Sequence, residues 1–133
     1  MSFPQFDAGA TGVLISDRFI NTFLAGEALN SVGLAVYLSG PFTVKRCNAA
    51  NQTTFIGITI TKQATVGQPV TVLCRGMARA TAWGSISAGD ELTTGPAGNP
   101  GSVQTDNSSK NITIIGIALQ AISSGGTGII MLW

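Results

Sequence analysis

Few side chains in this sequence could do chemistry, and their spacing argues against it. None of the 133 residues is a histidine, which removes the commonest general base near neutral pH and the commonest metal ligand. Asp90 and Glu91 are the only adjacent carboxylates. They follow the turn formers Ser87-Ala88-Gly89 and read as a strand start, where neighbouring side chains point to opposite faces and cannot share one substrate as acid and base. Asp17-Arg18 reads as an ion pair or a contact to a partner, and an ion pair alone contributes little. Cys47 and Cys74 are too few for a structural zinc site. They read as two reduced, buried thiols, with a disulfide as the alternative. The run Ser123-Ser124-Gly125-Gly126-Thr127-Gly128 has the glycines of a phosphate cradle, but it leads into a strand and not into the helix N-terminus that would hold an anion. It reads as a turn. No nucleotide-binding or hydrolase fingerprint occurs. The expectation is a protein that is not an enzyme, with no catalytic residue, metal or cofactor.

Charge says more than chemistry. Only 10% of residues are Asp, Glu, Lys or Arg, against about 25% in an ordinary soluble domain, and the mean hydropathy is +0.36. A lone copy would present Thr, Ser, Asn, Gly and apolar side chains with few charges to keep it from its neighbours. Much of that surface is therefore expected to be covered by other subunits. The net charge is +1, and the seven basic residues are scattered from Arg18 to Lys110, so no concentrated field marks nucleic acid as a partner. No apolar run approaches the roughly 20 residues that span a bilayer, and the first residues lack the basic start and apolar stretch of a leader. No membrane partner is expected, and synthesis is expected in the cytoplasm.

The elements that would position these residues read as strands. Residues 1–12 show neither period and form an extended N-terminal arm. Strand-like patterning begins at Val13, with runs at 13–15 and 19–24, a turn or single helical turn at 25–29, and a hairpin of 34–38 with 42–46 around Ser39-Gly40-Pro41. Further runs lie at 55–61, 70–75 and 77–83, the last two divided by Gly76. Alternation in the last puts Ala78, Ala80 and Ala82 on one face. Such a row suits a crowded barrel interior or a close subunit contact. Residues 95–110 are polar and rich in turn formers, a surface loop with a short strand at 102–105.

The chain also says one thing twice. Residues 55–73 align without a gap on 114–132 at an offset of 59, matching Gly57 with Gly116, Gly67 with Gly126 and Leu73 with Leu132. Ser31-Val32-Gly33-Leu34 answers Ser87-Ala88-Gly89-Asp90 at an offset of 56. Two copies are too few for a solenoid, which needs about three repeats. The expected fold is all-β: a single compact β-barrel or β-sandwich over 13–133, built from two similar halves, behind the arm at 1–12.

The succession Ala25-Gly26-Glu27-Ala28-Leu29 through Tyr37-Leu38, then Phe55-Ile56-Gly57-Ile58-Thr59, Val66-Gly67-Gln68-Pro69-Val70-Thr71-Val72, Ala88-Gly89-Asp90-Glu91-Leu92 and Ile115-Gly116-Ile117-Ala118-Leu119 resembles the small capsid cement or decoration proteins of tailed bacteriophages. The resemblance covers residues 24–133. Leu34 stands where that family often has Asp, and the arm matches nothing in it. The resemblance implies a subunit on the outer capsid surface of the virion, commonly a homotrimer at three-fold and quasi-three-fold positions, that clamps neighbouring major capsid proteins. Candidate capsid-binding residues are Phe3, Pro4 and Phe6 in the arm, with Asp17 and Arg18. Candidates for self-association are Ala78, Ala80, Ala82, Ile129, Met131 and Trp133. The alternative is a carbohydrate-binding or host-adhesion module of a phage head fibre or tail. It would need an exposed aromatic platform, whereas Tyr37, Trp83 and Trp133 sit in or beside expected strands, where burial is expected.

Overall fold

The computed structural model describes residues 19–106 and 114–133. Regular structure in them is all β: β1 (Phe19–Ala25), β2 (Ala35–Gly40), β3 (Thr43–Arg46), β4 (Phe55–Thr59), β5 (Pro69–Thr81), β6 (Glu91–Thr94), β7 (Val103–Thr105), β8 (Gly116–Ala118) and β9 (Thr127–Leu132). The expected run at 13–15 lies outside the described residues. The stretch 25–29 is not a helical turn: β1 ends at Ala25, and Leu29 exchanges both backbone hydrogen bonds with Gln63.

Five strands close into a barrel. β1 runs parallel to β3 at Leu24↔Thr43 and Ala25↔Val44, β3 pairs with β2, β2 with β4 and β4 with β5. β5 then returns to β1 along Leu24↔Pro69 to Phe19↔Arg75. Closure removes most of the free edge from these strands, leaving residues 19–23 of β1 paired with β5 alone. The Gly40-Pro41 reversal makes the β2–β3 hairpin, and Phe42 at its tip holds φ at 53°, a left-handed conformation uncommon for a bulky residue.

Gly76 does not divide two strands. β5 runs 13 residues through it. With φ of 113°, which glycine adopts without the steric cost other residues incur, Gly76 lets β5 change partners, from β1 and β4 to β9 along Gly76↔Leu132 to Thr81↔Thr127. β9 pairs with β8, β8 with β6 and β6 with β7. A parallel bridge, Ala82↔Val103, joins β7 back to the end of β5. A second ring of strands is thus built on the continuation of the strand that completes the first.

The registers of the two rings correspond. Val36↔Arg46 and Leu38↔Val44 recur as Leu92↔Thr105 and Thr94↔Val103. Ala35↔Ile58 recurs as Glu91↔Ile117, and the parallel closure Ala25↔Val44 as Ala82↔Val103. The Leu29–Gln63 exchange recurs as Ile86–Ile122, and the bond from Gly33 N to Thr59 O (2.8 Å) recurs from Gly89 N to Ala118 O (2.8 Å). The duplication read from the sequence is therefore built into the fold, with one correction. Gly67 N donates to Ala25 O and Gly125 N to Ala82 O, at φ of 86° and 79°, so Gly67 matches Gly125 and not Gly126. A Cβ on Gly57 would fall on the Leu73 carbonyl, and one on Gly116 on the Met131 carbonyl. Leu73 accordingly matches Met131 and not Leu132. The second half is one residue shorter in the preceding loop, which the Gly125-Gly126 doublet concealed.

Interior packing repeats as well. Ala25, Leu29, Val36, Val44, Val70 and Val72 fill the first barrel. Their counterparts Ala82, Ile86, Leu92, Val103 and Ile130 fill the second, with Gly128 in the place of Val70.

Candidate docking surfaces

Ala35, Cys47, Ile58 and Leu73 point out of the first barrel, yet all four are fully buried and belong to the cluster that holds the second barrel's interior. They form the junction between the barrels, with Tyr37, Phe55 and Ile60 packed at its margin. Hydrogen bonds seal it: Ala35 N donates to Gly101 O (2.8 Å) and Gly101 N to Cys47 O (2.9 Å). Thr94 Oγ1 donates to Ala49 O (2.7 Å) and accepts from Gln52 N (2.9 Å).

The matching positions on the second barrel are Glu91, Asp106, Ile117 and Met131. Ile117 is partly exposed and Met131 is 37% exposed. They lie side by side with Met77 in the cross-strand row Met77↔Met131↔Ile117, and exposed Leu119 continues the patch. Three strands therefore present an apolar outer face bordered by carboxylates. On the first barrel Val32, Leu38 and Val66 are exposed singly, and Phe19, Ile20 and Leu24 of β1 are exposed beside Phe42, which is 74% exposed and whose carbonyl accepts from Leu24 N at 2.7 Å.

Two of the carboxylates, Asp90 and Glu27, are occupied in structure. Asp90 Oδ2 accepts from Ser87 N (2.9 Å) and from Thr105 Oγ1 (3.0 Å), which ties the turn to β7, while exposed Glu91 points the other way. Glu27 accepts from Arg46 N (2.8 Å) and Arg46 Nε (3.1 Å). Partial burial opposes its ionisation, but the hydrogen bonds and charge of Arg46 outweigh that and hold the carboxyl below its ordinary value. Burial pushes the Cys47 thiol up to about 12. Cys47 and Cys74 are both free. Among the described residues no three Cys, Asp or Glu side chains gather where a cation could sit.

Phe3, Pro4, Phe6, Asp17 and Arg18 lie outside the described residues. Ala78, Ala80 and Ala82 pack into this chain's own core, so the interior setting is the one the fold supplies and they offer no surface to a second subunit. Ile129 and Met131 face outward on β9, between core-facing Ile130 and Leu132. The burial expected of the tryptophans is corrected: Trp83 is 47% and Trp133 57% exposed, because each lies just past the strand whose pattern suggested an interior. The sequence reading missed Ile117, Leu119, Met77, Leu24 and Phe42. The repeat carried no signal for them, since Ile58 and Leu73 have equally apolar counterparts in Ile117 and Met131 and only burial tells the pairs apart.

No family model matches the sequence, and no curated protein matches it. Among solved structures, the N base of the head fibre protein gp8.5 of bacteriophage phi29 is similar, with a TM-score of 0.63 and 19% identity over 88% of this chain and 95% of that one.

Proposed function

We propose that this chain is a structural protein of a tailed-phage head, carried as a homotrimer on the outer capsid surface, where it clamps neighbouring major capsid proteins and does no catalysis. The carrying observation is the likeness of fold to the head fibre base of phage phi29 along nearly the whole of both chains. The low charge and the exposed apolar faces support it, because they suit a protein that works within an assembly. Cement acts by mass action: a copy that binds the expanded shell better than its precursor stabilises that shell, and many modest contacts sum. The arm, with Phe3, Pro4 and Phe6, is the proposed grip. A buried Phe contributes roughly 1.5–3 kcal/mol against about 1–2 kcal/mol per residue of backbone ordering, so a single arm binds weakly and three arms bind together by avidity.

The test adds purified protein to heads that lack it and reads occupancy and position by cryo-electron microscopy. Full-length protein should decorate three-fold and quasi-three-fold positions, and protein without residues 2–10 should decorate them poorly. Absence of binding by the full-length protein overturns the proposal. The exposure of Trp83 and Trp133 favours a second reading, a host-adhesion module that stacks sugars on its aromatics. A glycan array separates the two, since a cement protein should bind no sugar on it.

A further inference from the structure

The covered face of the first barrel shows what fits the uncovered face of the second. Two features of the second barrel cover the first. The backbone of β5 at Arg79 and Ala80 lies on the Gly33 turn, so closely that a Cβ there would stand 2.8 Å from Arg79 O, and Gly101 at the β6–β7 tip lies on Leu34 and Arg46. Moved along by one barrel, these contacts become β1 at Thr22 and Phe23 on the Gly89 turn, and Phe42 on Asp90 and Thr105. Gly89, Thr22 and Phe42 are open, whereas Phe23 is partly buried against the first barrel's core, and Asp90 and Thr105 are partly buried and hydrogen-bonded to each other. A Cβ on Gly89 would meet nothing within 4 Å, Thr22 is exposed and so is Phe42.

We infer that the outer face of the second barrel, Ile117, Leu119 and Met131, binds the first barrel of another copy of this chain, head to tail, through β1 and the Phe42 hairpin tip. The inference rests on the self-association in the reading above and supplies its contact. Both surfaces are apolar and exposed, and they are the counterparts of surfaces that already pack together inside one chain. Phe42 and Gly101 share a left-handed backbone at φ of 53° and 82°, and where Gly101 meets Leu34 and Arg46, Phe42 would meet Asp90, of the same length as leucine but polar, and the much shorter Thr105. The added ring goes where the long arginine has been cut back to threonine. Charge does not oppose it: residues 1–75 carry five basic against three acidic side chains, a formal +2, and residues 76–133 carry two against three, a formal −1, so the halves that meet are of opposite sign. A contact between two different surfaces is heterologous, and it closes into a ring when its rotation permits.

The experiment compares wild type with Phe42→Gly and with the double variant Ile117→Asp, Met131→Asp by native mass spectrometry and sedimentation. Phe42→Gly relieves the left-handed backbone and so keeps the fold, and thermal melts check the double variant. Each variant alone should self-associate at least about tenfold more weakly, the loss of a contact of about 1.4 kcal/mol. Their equimolar mixture should give a one-to-one heterodimer, because one retains the apolar face and the other the hairpin tip. Assembly of either folded variant as tight as wild type, a mixture without heterodimer, or a wild type that stays monomeric overturns the inference. Binding to heads is scored separately, so that a failed contact with intact head binding leaves the proposed function standing, and the reverse result removes only that function.

Discussion

The two barrels carry corresponding outer faces with different fates. Ala35, Cys47, Ile58 and Leu73 are sealed at the junction, whereas Glu91, Asp106, Ile117 and Met131 border solvent. Between the two sets, isoleucine is kept, leucine becomes the pliable methionine, and alanine and cysteine become carboxylates. An interface fixed inside one chain can be dry to its margin, because its partner is always present. A face that stands open needs charge at the rim to keep the free subunit soluble while its centre stays apolar. The difference separates what a fold requires from what an assembly surface requires.

The sharpest way to break the comparison is at the glycines. Gly57→Ala drives a Cβ into the Leu73 carbonyl and should cost about 3 kcal/mol or more. Gly89→Ala meets open space and only the strain of φ at 90°, about 1–2 kcal/mol. Urea melts of both measure the gap, and equal losses would deny that the first position is backbone-packed. Next come the facing side chains. Leu73→Ala should cost about 3–4 kcal/mol through its cavity, and Met131→Ala less than about 1 kcal/mol in the free subunit.

Cys47 tests burial by pH. Its folded value of about 12 lies above the ordinary 9.0, so the unfolded chain loses its proton first. Its contribution is complete below pH 9 and is lost as pH rises toward 12. Cys47→Ala should flatten that alkaline decline relative to wild type, and a thiol reagent should label half-exposed Cys74 well before Cys47. The smallest effect belongs to Glu27→Gln. Because the carboxyl is held below its ordinary 4.5, its stabilisation is present above that value and fades as pH falls. The pair with Arg46 is about one-third exposed on both sides, so the loss near neutral pH should be about 0.5 kcal/mol.

Much of the fold was legible because strand patterning and turn glycines are local signals. The hairpin around Gly40-Pro41, the short strand at Val103–Thr105 and the turn before Glu91 are written in adjacent residues. The duplication was legible in Gly57 and Gly116, where only a missing side chain lets two strands approach. Gly76 misled, because a lone glycine between strand runs signals a break as readily as a change of partner, and the partner is set by residues far along the chain. Trp83 and Trp133 misled because strand membership was extended too far, by two residues past Thr81 and by one past Leu132. The docking faces were hidden for a deeper reason: Ile58 and Ile117 are the same residue, and only the barrel stacked on one of them makes it core.

The shared strand also orders events during synthesis. The first barrel cannot close until residues 69–75 have left the ribosome, since β5 pairs with both β1 and β4. Once it closes, residues 76–81 are held as an extended template with their hydrogen-bonding edge unfilled. β9, near the end of the chain, fills that edge last. Nascent chains should therefore fold in two steps, with the late step gated by β9, and the interval between them is when this protein is most open to strand addition from a neighbour.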